Sequence, residues 1–359
     1  MIGQLRTAAG RTGLPTSAFR LLWPVLLYSL AGQAPSARVD ACDLCAIYNS
    51  DSARDGGGTG WVATISESWI PYHTLRFNGE ELSNRGQDWR ESSVTHLVPG
   101  YNFSPRFAVS LNVPLVYQSF RRSETRYQPA GPPVFHREQG DSLDLGDVTL
   151  VGRLNIFRRA EMEYSLSADL LGGVRFPTGD SDRIADEVSQ TRIFDRFVPP
   201  GTPHDPLGHS ASGVHQHDLS PGSGSFDGIF GVTFRARRQR LFCNGQFQYY
   251  LRTEGRATFQ YGDELMVSGG PGAFVLLTAR YTVSLQANVS YDSMARDRLL
   301  GRISNRTGST AWYLGPQVGA SVGQQLSLVA GIDLPCHVSN NGVQNTPDYR
   351  LHASLAWRF

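Results

Sequence analysis

Apolar and polar residues take turns along much of the chain, and the alternation runs to its last residue. In YRLHASLAWRF, Tyr349, Leu351, Ala353, Leu355, Trp357 and Phe359 fall on one face of a strand, opposite Arg350, His352, Ser354, Ala356 and Arg358. QQLSLVAGIDLP repeats the pattern with Leu326, Leu328, Ala330, Ile332 and Leu334, and RFAVSLNVPLVYQ with Phe107, Val109, Leu111, Val113, Leu115 and Tyr117. Further strands are expected at 60–70, 92–103, 144–157, 163–176, 225–235, 241–252, 265–280, 283–292 and 311–322. That makes about twelve, an even number, each near or above the roughly 9–11 residues of a tilted membrane strand. The run LMVSGGPGAFVLLTAR lacks clean alternation, so its facing is not assigned. Pro114, Pro271, Pro316 and Pro335 fall inside expected strands, where the missing N–H calls for a bulge or shortened pairing.

The connections separate a membrane barrel from a soluble sandwich. Those after even-numbered strands are short (104–105, 158–162, 236–240, 281–282, 323–325), and those after odd-numbered strands are long (71–91, 119–143, 177–224, 253–264, 293–310, 336–347). An outer-membrane barrel sorts its connections this way because turns face the periplasm and loops face outward, whereas a sandwich has no reason to. The expected fold is therefore all-β, a transmembrane antiparallel up-and-down β-barrel with long extracellular loops and short periplasmic turns, placed in the bacterial outer membrane. Closure leaves no strand edge unpaired in hydrocarbon, and only alternate side chains meet lipid. Trp357 and Phe359 then sit where interfacial aromatics are stable. The terminal Phe resembles the signal read by the bacterial barrel-assembly machinery, an expected partner beside outer-membrane lipid.

Composition adds limits. The 359 residues carry a formal net charge of +1, 38 glycines and a mean hydropathy of -0.28. No nucleic-acid partner is implied, and the longest strongly apolar run, 21–31, is too short for a spanning helix. Arg6, Arg11 and Arg20 before LLWPVLLYSLA, with AGQAPSA after it, read as a secretory signal. The expected organisation is a signal and processing region over 1–41, a periplasmic segment over 42–59, and the barrel over 60–359. The middle segment carries Cys42 and Cys45, a spacing suited to a disulfide or redox pair or to half a metal site; Ala46 stands where covalent haem attachment needs histidine.

The alternation directs Asp147, Arg153, Asn155, Asp169, Arg175, Asp227, Arg235, Gln246, Gln248, Arg252, Gln286, Asn288, Asp333, Arg350 and His352 to the lumen. Charges of both signs fit either a hydrated channel or ion pairs that fill a narrow barrel. The expected function is passive passage of a small polar or amphipathic solute with a weak anion preference; the alternatives are a metal-binding or plugged structural barrel, or an outer-membrane hydrolase. The 177–224 loop, placed to fold inward, carries His204, His209, His215 and His217, and its GVHQHD suits a borderline metal such as zinc, copper or nickel. No other cofactor is expected. GHSASG places Ser212 where a nucleophile elbow needs glycine, and no enzyme is expected.

LGDVTLVGR (145–153), LGGVRFPTGDSD (171–182) and GSGSFDGIFGVTF (222–234) resemble the strand-ending glycine-rich motifs of outer-membrane transporters of the family named for the MetA pathway of phenol degradation. The resemblance covers about the central third of the chain and implies a barrel with a transport role.

Overall fold

The computed structural model describes residues 58–210 and 212–359; the processing region, Cys42 and Cys45 lie outside the described residues. Twelve antiparallel strands close into a barrel. They are β1 (Gly60–Tyr72), β2 (Trp89–Asn102), β3 (Phe107–Arg126), β4 in two segments (Val134–Leu145 and Thr149–Ala160), β5 (Tyr164–Arg175), β6 (Asp227–Arg238), β7 (Leu241–Leu251), β8 (Glu264–Leu277), β9 (Tyr281–Met294), β10 (Ser309–Val322), β11 (Leu326–Asn340) and β12 (Arg350–Arg358). Each pairs with its chain neighbours, and β1 closes on β12 in a register that runs from Val62↔Arg358 to Trp69↔Leu351.

Alternation sets the two faces. On β12, Leu351, Leu355 and Trp357 are exposed while Ser354 and Ala356 are buried. The exposed aliphatics form the surface that lipid covers. Aromatic side chains bound that surface at both ends. Trp61 meets Tyr101 at 5.0 Å, Tyr101 meets Phe103 at 5.0 Å, Phe103 stacks near Phe107, and Trp357 stacks on Phe359. Toward the other end, Trp69 meets Tyr349 at 5.3 Å and Tyr291 meets Trp312 at 4.7 Å. From Trp61 to Trp69, at ~3.3 Å per residue and ~40° of tilt, the two girdles stand about 20 Å apart, near the height of an outer-membrane apolar band.

The four strand prolines behave as their chemistry requires. Pro114 faces the break between the two segments of β4, where the ladder stops at Leu115↔Leu145 and resumes at Asn112↔Thr149. The ladder also skips residues beside Pro271 and Pro316, and a register shift lies beside Pro335. Strand β8 resolves as Glu264 and Met266 inward and Val267 outward, with an irregularity between Phe274 and Leu276.

Two expectations about loops change. The 119–143 connection is mostly an extension of β3 and β4, paired from Ser119↔Asp141 to Arg126↔Val134. It stays ordered beyond the barrel because Arg122, almost fully buried, pairs with Glu124 at 2.6 Å and Glu138 at 2.9 Å. The 177–224 connection contains helix α1 (Asp182–Phe194), which places Ile184, Glu187, Val188 and Thr191 on one buried face. Ile184 and Val188 pack with Leu207, Phe259 and Leu299 into a small apolar core shared with the β7–β8 and β9–β10 connections.

Candidate functional site in the barrel interior

The three motifs that resemble the transporter family meet at one residue. Asp147 lies in the break of β4 and is fully buried. Its Oδ1 accepts the Gly179 N–H at 3.0 Å, and its Oδ2 accepts the Ser223 N–H and hydroxyl at 2.7 and 2.6 Å. Arg175 Nε stands 3.2 Å from the same oxygen. Glycine is required where the two ends of the loop touch: a Cβ on Gly222 would lie 2.3 Å from the Gly179 carbonyl oxygen. The segment 177–224, called the plug below, is thereby pinched at its base, and its Ser212, Asp218 and Leu219 meet Asp88, Arg90 and Phe120 of the neighbouring strands and their approaches.

Below this clasp inward side chains of neighbouring strands pack on one another. Val98, Val151, Leu171, Ile229, Tyr250 and Met266, inward residues of β2 and β4–β8, form one apolar cluster in which none exceeds 8% exposure. Toward the periplasm, Asp169 accepts from Arg153 at 3.2 Å, Asn155 at 2.8 Å, Arg235 at 2.8 Å and Thr233 at 3.2 Å. On the other wall Asn244 and Gln286 exchange hydrogen bonds, Gln246 donates to Ser268, and Asn288 donates to Asp333, which stands 3.8 Å from His352. Gln248 is fully buried.

Nearer the plug, Asp227 accepts from Arg252 at 3.1 Å, and Arg252 also reaches Glu264 at 3.0 Å. Arg350 pairs with Asp292 and donates to the Tyr313 hydroxyl at 2.9 Å. Each of the five arginines expected to line the interior meets a carboxylate. The expected anion preference rested on five cations against four anions; pairing, with Asp292 and Glu264 added, removes its basis.

A cavity of about 100 Å³ remains between the plug and the walls, lined among others by Arg90, His215, His217, Asp218, Asp297 and Arg350. His215 and His217 are buried and stacked with centroids 5.3 Å apart. His217 Nδ1 donates to Glu187 Oε2 at 2.5 Å, and its Nε2 lies 3.3 Å from Asp297 Oδ2. Glu187 also accepts the backbone N–H groups of Gln216 and His217. Asp218 accepts the His215 N–H at 2.8 Å and pairs with Arg90 at 3.3 Å. Burial opposes charge on His217, but Glu187, Asp218 and Asp297 outweigh it and hold its pKa up at about 9. Burial also opposes charge on Glu187, and His217 brings that carboxyl down to about 2. Burial and the charge of His217 push His215 down to about 4.

Of the four histidines expected to share a metal, only His215 and His217 converge. His204 lies apart, bonded to Asp195 at 2.7 Å and facing Arg302, because its stretch of the loop packs against the β9–β10 connection. His209 is buried beside Phe194, with its pKa lowered by burial. Glu187 and Asp297 were not anticipated. The readable signal for Glu187 was an acid on the apolar stripe of Ile184, Val188 and Thr191.

Among solved structures the chain is similar to an outer-membrane channel from Pseudomonas putida F1, with a TM-score of 0.56, 12% identity, and coverage of 86% of this chain and 98% of that one. It also matches the translocator domain of the autotransporter NalP from Neisseria meningitidis, with a TM-score of 0.40, 12% identity, and coverage of 89% and 95%. A FadL homologue from Pseudomonas aeruginosa matches with a TM-score of 0.36, 9% identity, and coverage of 84% and 90%. No protein-family model and no curated relative matches the chain. At these identities the likeness is one of fold, and the fold is that of a bacterial outer-membrane β-barrel.

Proposed function

We propose that this barrel is a passive channel for small polar or amphipathic solutes, related in role to transporters of the MetA-pathway type, and that the 177–224 segment holds it closed. The observation that carries this reading is the plug itself. It is a folded insert tied to the wall by polar contacts through Asp147 and Arg90 and by apolar packing of Val214 and Leu219 on Phe120, and a cavity separates it from β8–β12. A purely structural barrel needs only interior packing and has no use for a cavity behind a separately folded insert. The paired charges disfavour strong ion selection, because a solute meets nearly cancelled fields.

Solute entry into liposomes tests the reading. Proteoliposomes carrying the intact chain should admit small neutral or amphipathic solutes slowly, and those carrying a chain without 183–221 should admit them faster and to a larger size limit. Equal impermeability of both preparations would leave the plugged structural barrel.

A further inference from the structure

The histidines of the plug do more than fill space. One donor atom from each of His215, His217 and Asp218 lies within 4.8 Å of the others. His217 Nε2 is 3.3 Å from Asp297 Oδ2 and 4.0 Å from Asp218 Oδ1, and His215 Nδ1 is 3.8 Å from Asp218 Oδ2. Ligand bonds of ~2.0–2.2 Å at tetrahedral angles put neighbouring donors about 3.4 Å apart, and these three pairs stand within 0.6 Å of that spacing.

The surroundings are those of a built site. Glu187 Oε2 accepts a hydrogen bond from His217 Nδ1–H and leaves Nε2 facing Asp297 and Asp218. A carboxylate behind a ligating histidine fixes its tautomer and ring orientation and strengthens it as a donor. Glu187 is itself fixed by two backbone N–H groups, Asp218 by the His215 N–H, and Asp297 by the Gly262 N–H at 2.7 Å. The cavity supplies the room.

We propose that His215, His217 and Asp218, with Asp297 as fourth donor, bind one divalent transition-metal ion of the zinc class, and that Glu187 positions His217 for it. Mixed imidazole and carboxylate donors suit such borderline cations better than calcium or magnesium, which take oxygen donors. Three donors lie on the plug and Asp297 lies on the β9–β10 connection, so the ion clips the plug to the extracellular cap. The ion pair with Arg90 makes Asp218 the weakest of the four. The site does not depend on whether the barrel conducts.

The test uses the untagged full-length protein in detergent, with Cys42 and Cys45 changed to serine to remove a competing thiol pair. After chelation, it is titrated with zinc in a calorimeter and with cobalt by visible absorption. The expected result is one ion per chain with the intense bands of four-coordinate cobalt. His215→Gln and His217→Gln should each weaken binding by at least 10-fold, Glu187→Gln by roughly 10–100-fold, and Asp218→Asn by less. His204→Gln should leave binding unchanged. If the histidine variants do not fold, stoichiometry and cobalt spectrum of the parent decide. Absence of a saturable single ion, or equal binding by a folded His215→Gln/His217→Gln variant, overturns the proposal.

Discussion

Asp147 accepts both the backbone N–H and the hydroxyl of Ser223, at 2.7 and 2.6 Å, across 76 residues of chain. This one carboxylate joins the break in β4 to both ends of the plug. Asp147→Ala removes the acceptor of the buried Ser223 N–H and hydroxyl and of the Gly179 N–H, at ~1–3 kcal/mol for each buried group left unsatisfied. Protease added to intact cells should then cut within 177–224 faster than in the parent, with the barrel still resistant. Asp147→Asn, which keeps an acceptor, should lie between. Parental cleavage rates in Asp147→Ala would show that the clasp does not hold the plug.

The pinch at Gly179 and Gly222 makes a steric prediction. A Cβ on Gly222 meets the Gly179 carbonyl carbon and oxygen at 2.4 and 2.3 Å, so backbone has to move. Overpacking of this kind costs ~1–3 kcal/mol. Thermal unfolding in detergent should fall for Gly222→Ala and stay near the parent for Gly172→Ala, where an added Cβ meets nothing within 4 Å.

A second tie is sensitive to pH. His73, at the top of β1, sits 3.2 Å from both Asp348 and Glu91, and its N–H donates to Asp348 at 3.0 Å. The hydrogen bond to Asp348 raises the His73 pKa above its ordinary 6.5. A raised histidine contributes stability that is complete below its unfolded value and is lost as pH rises through its folded value. The stability difference between parent and His73→Gln should therefore be largest below pH 6.5 and shrink above the raised value. A difference that grows with rising pH would contradict the assignment.

The barrel was legible because its signals are local. A period of two along each strand and the sorting of short and long connections need no knowledge of tertiary contacts, and Pro114 even marked the break that receives Asp147. The interior was legible only in direction. Alternation points Asp169 inward, but nothing in its neighbourhood says that Arg153 and Arg235 will both reach it. The histidine cluster was half visible in GVHQHD, while Glu187 and Asp297 lie 30 residues before and 80 after His217 and join it only through the fold. Glu67 shows the opposite limit. It lies on the outward face of β1, bonded to the hydroxyls of Ser93 and of Thr95 on β2, and simple alternation would have placed an apolar residue there.

Planar-bilayer recording tests the closure of the lumen by its own loop most directly. The intact protein should give small, infrequent openings. Removing 183–221 should convert them to larger, sustained conductance with little preference between anions and cations, because the lining arginines are paired. Silence from both, with both proteins inserted and folded, would contradict a closed channel and identify the interior as a permanent filling.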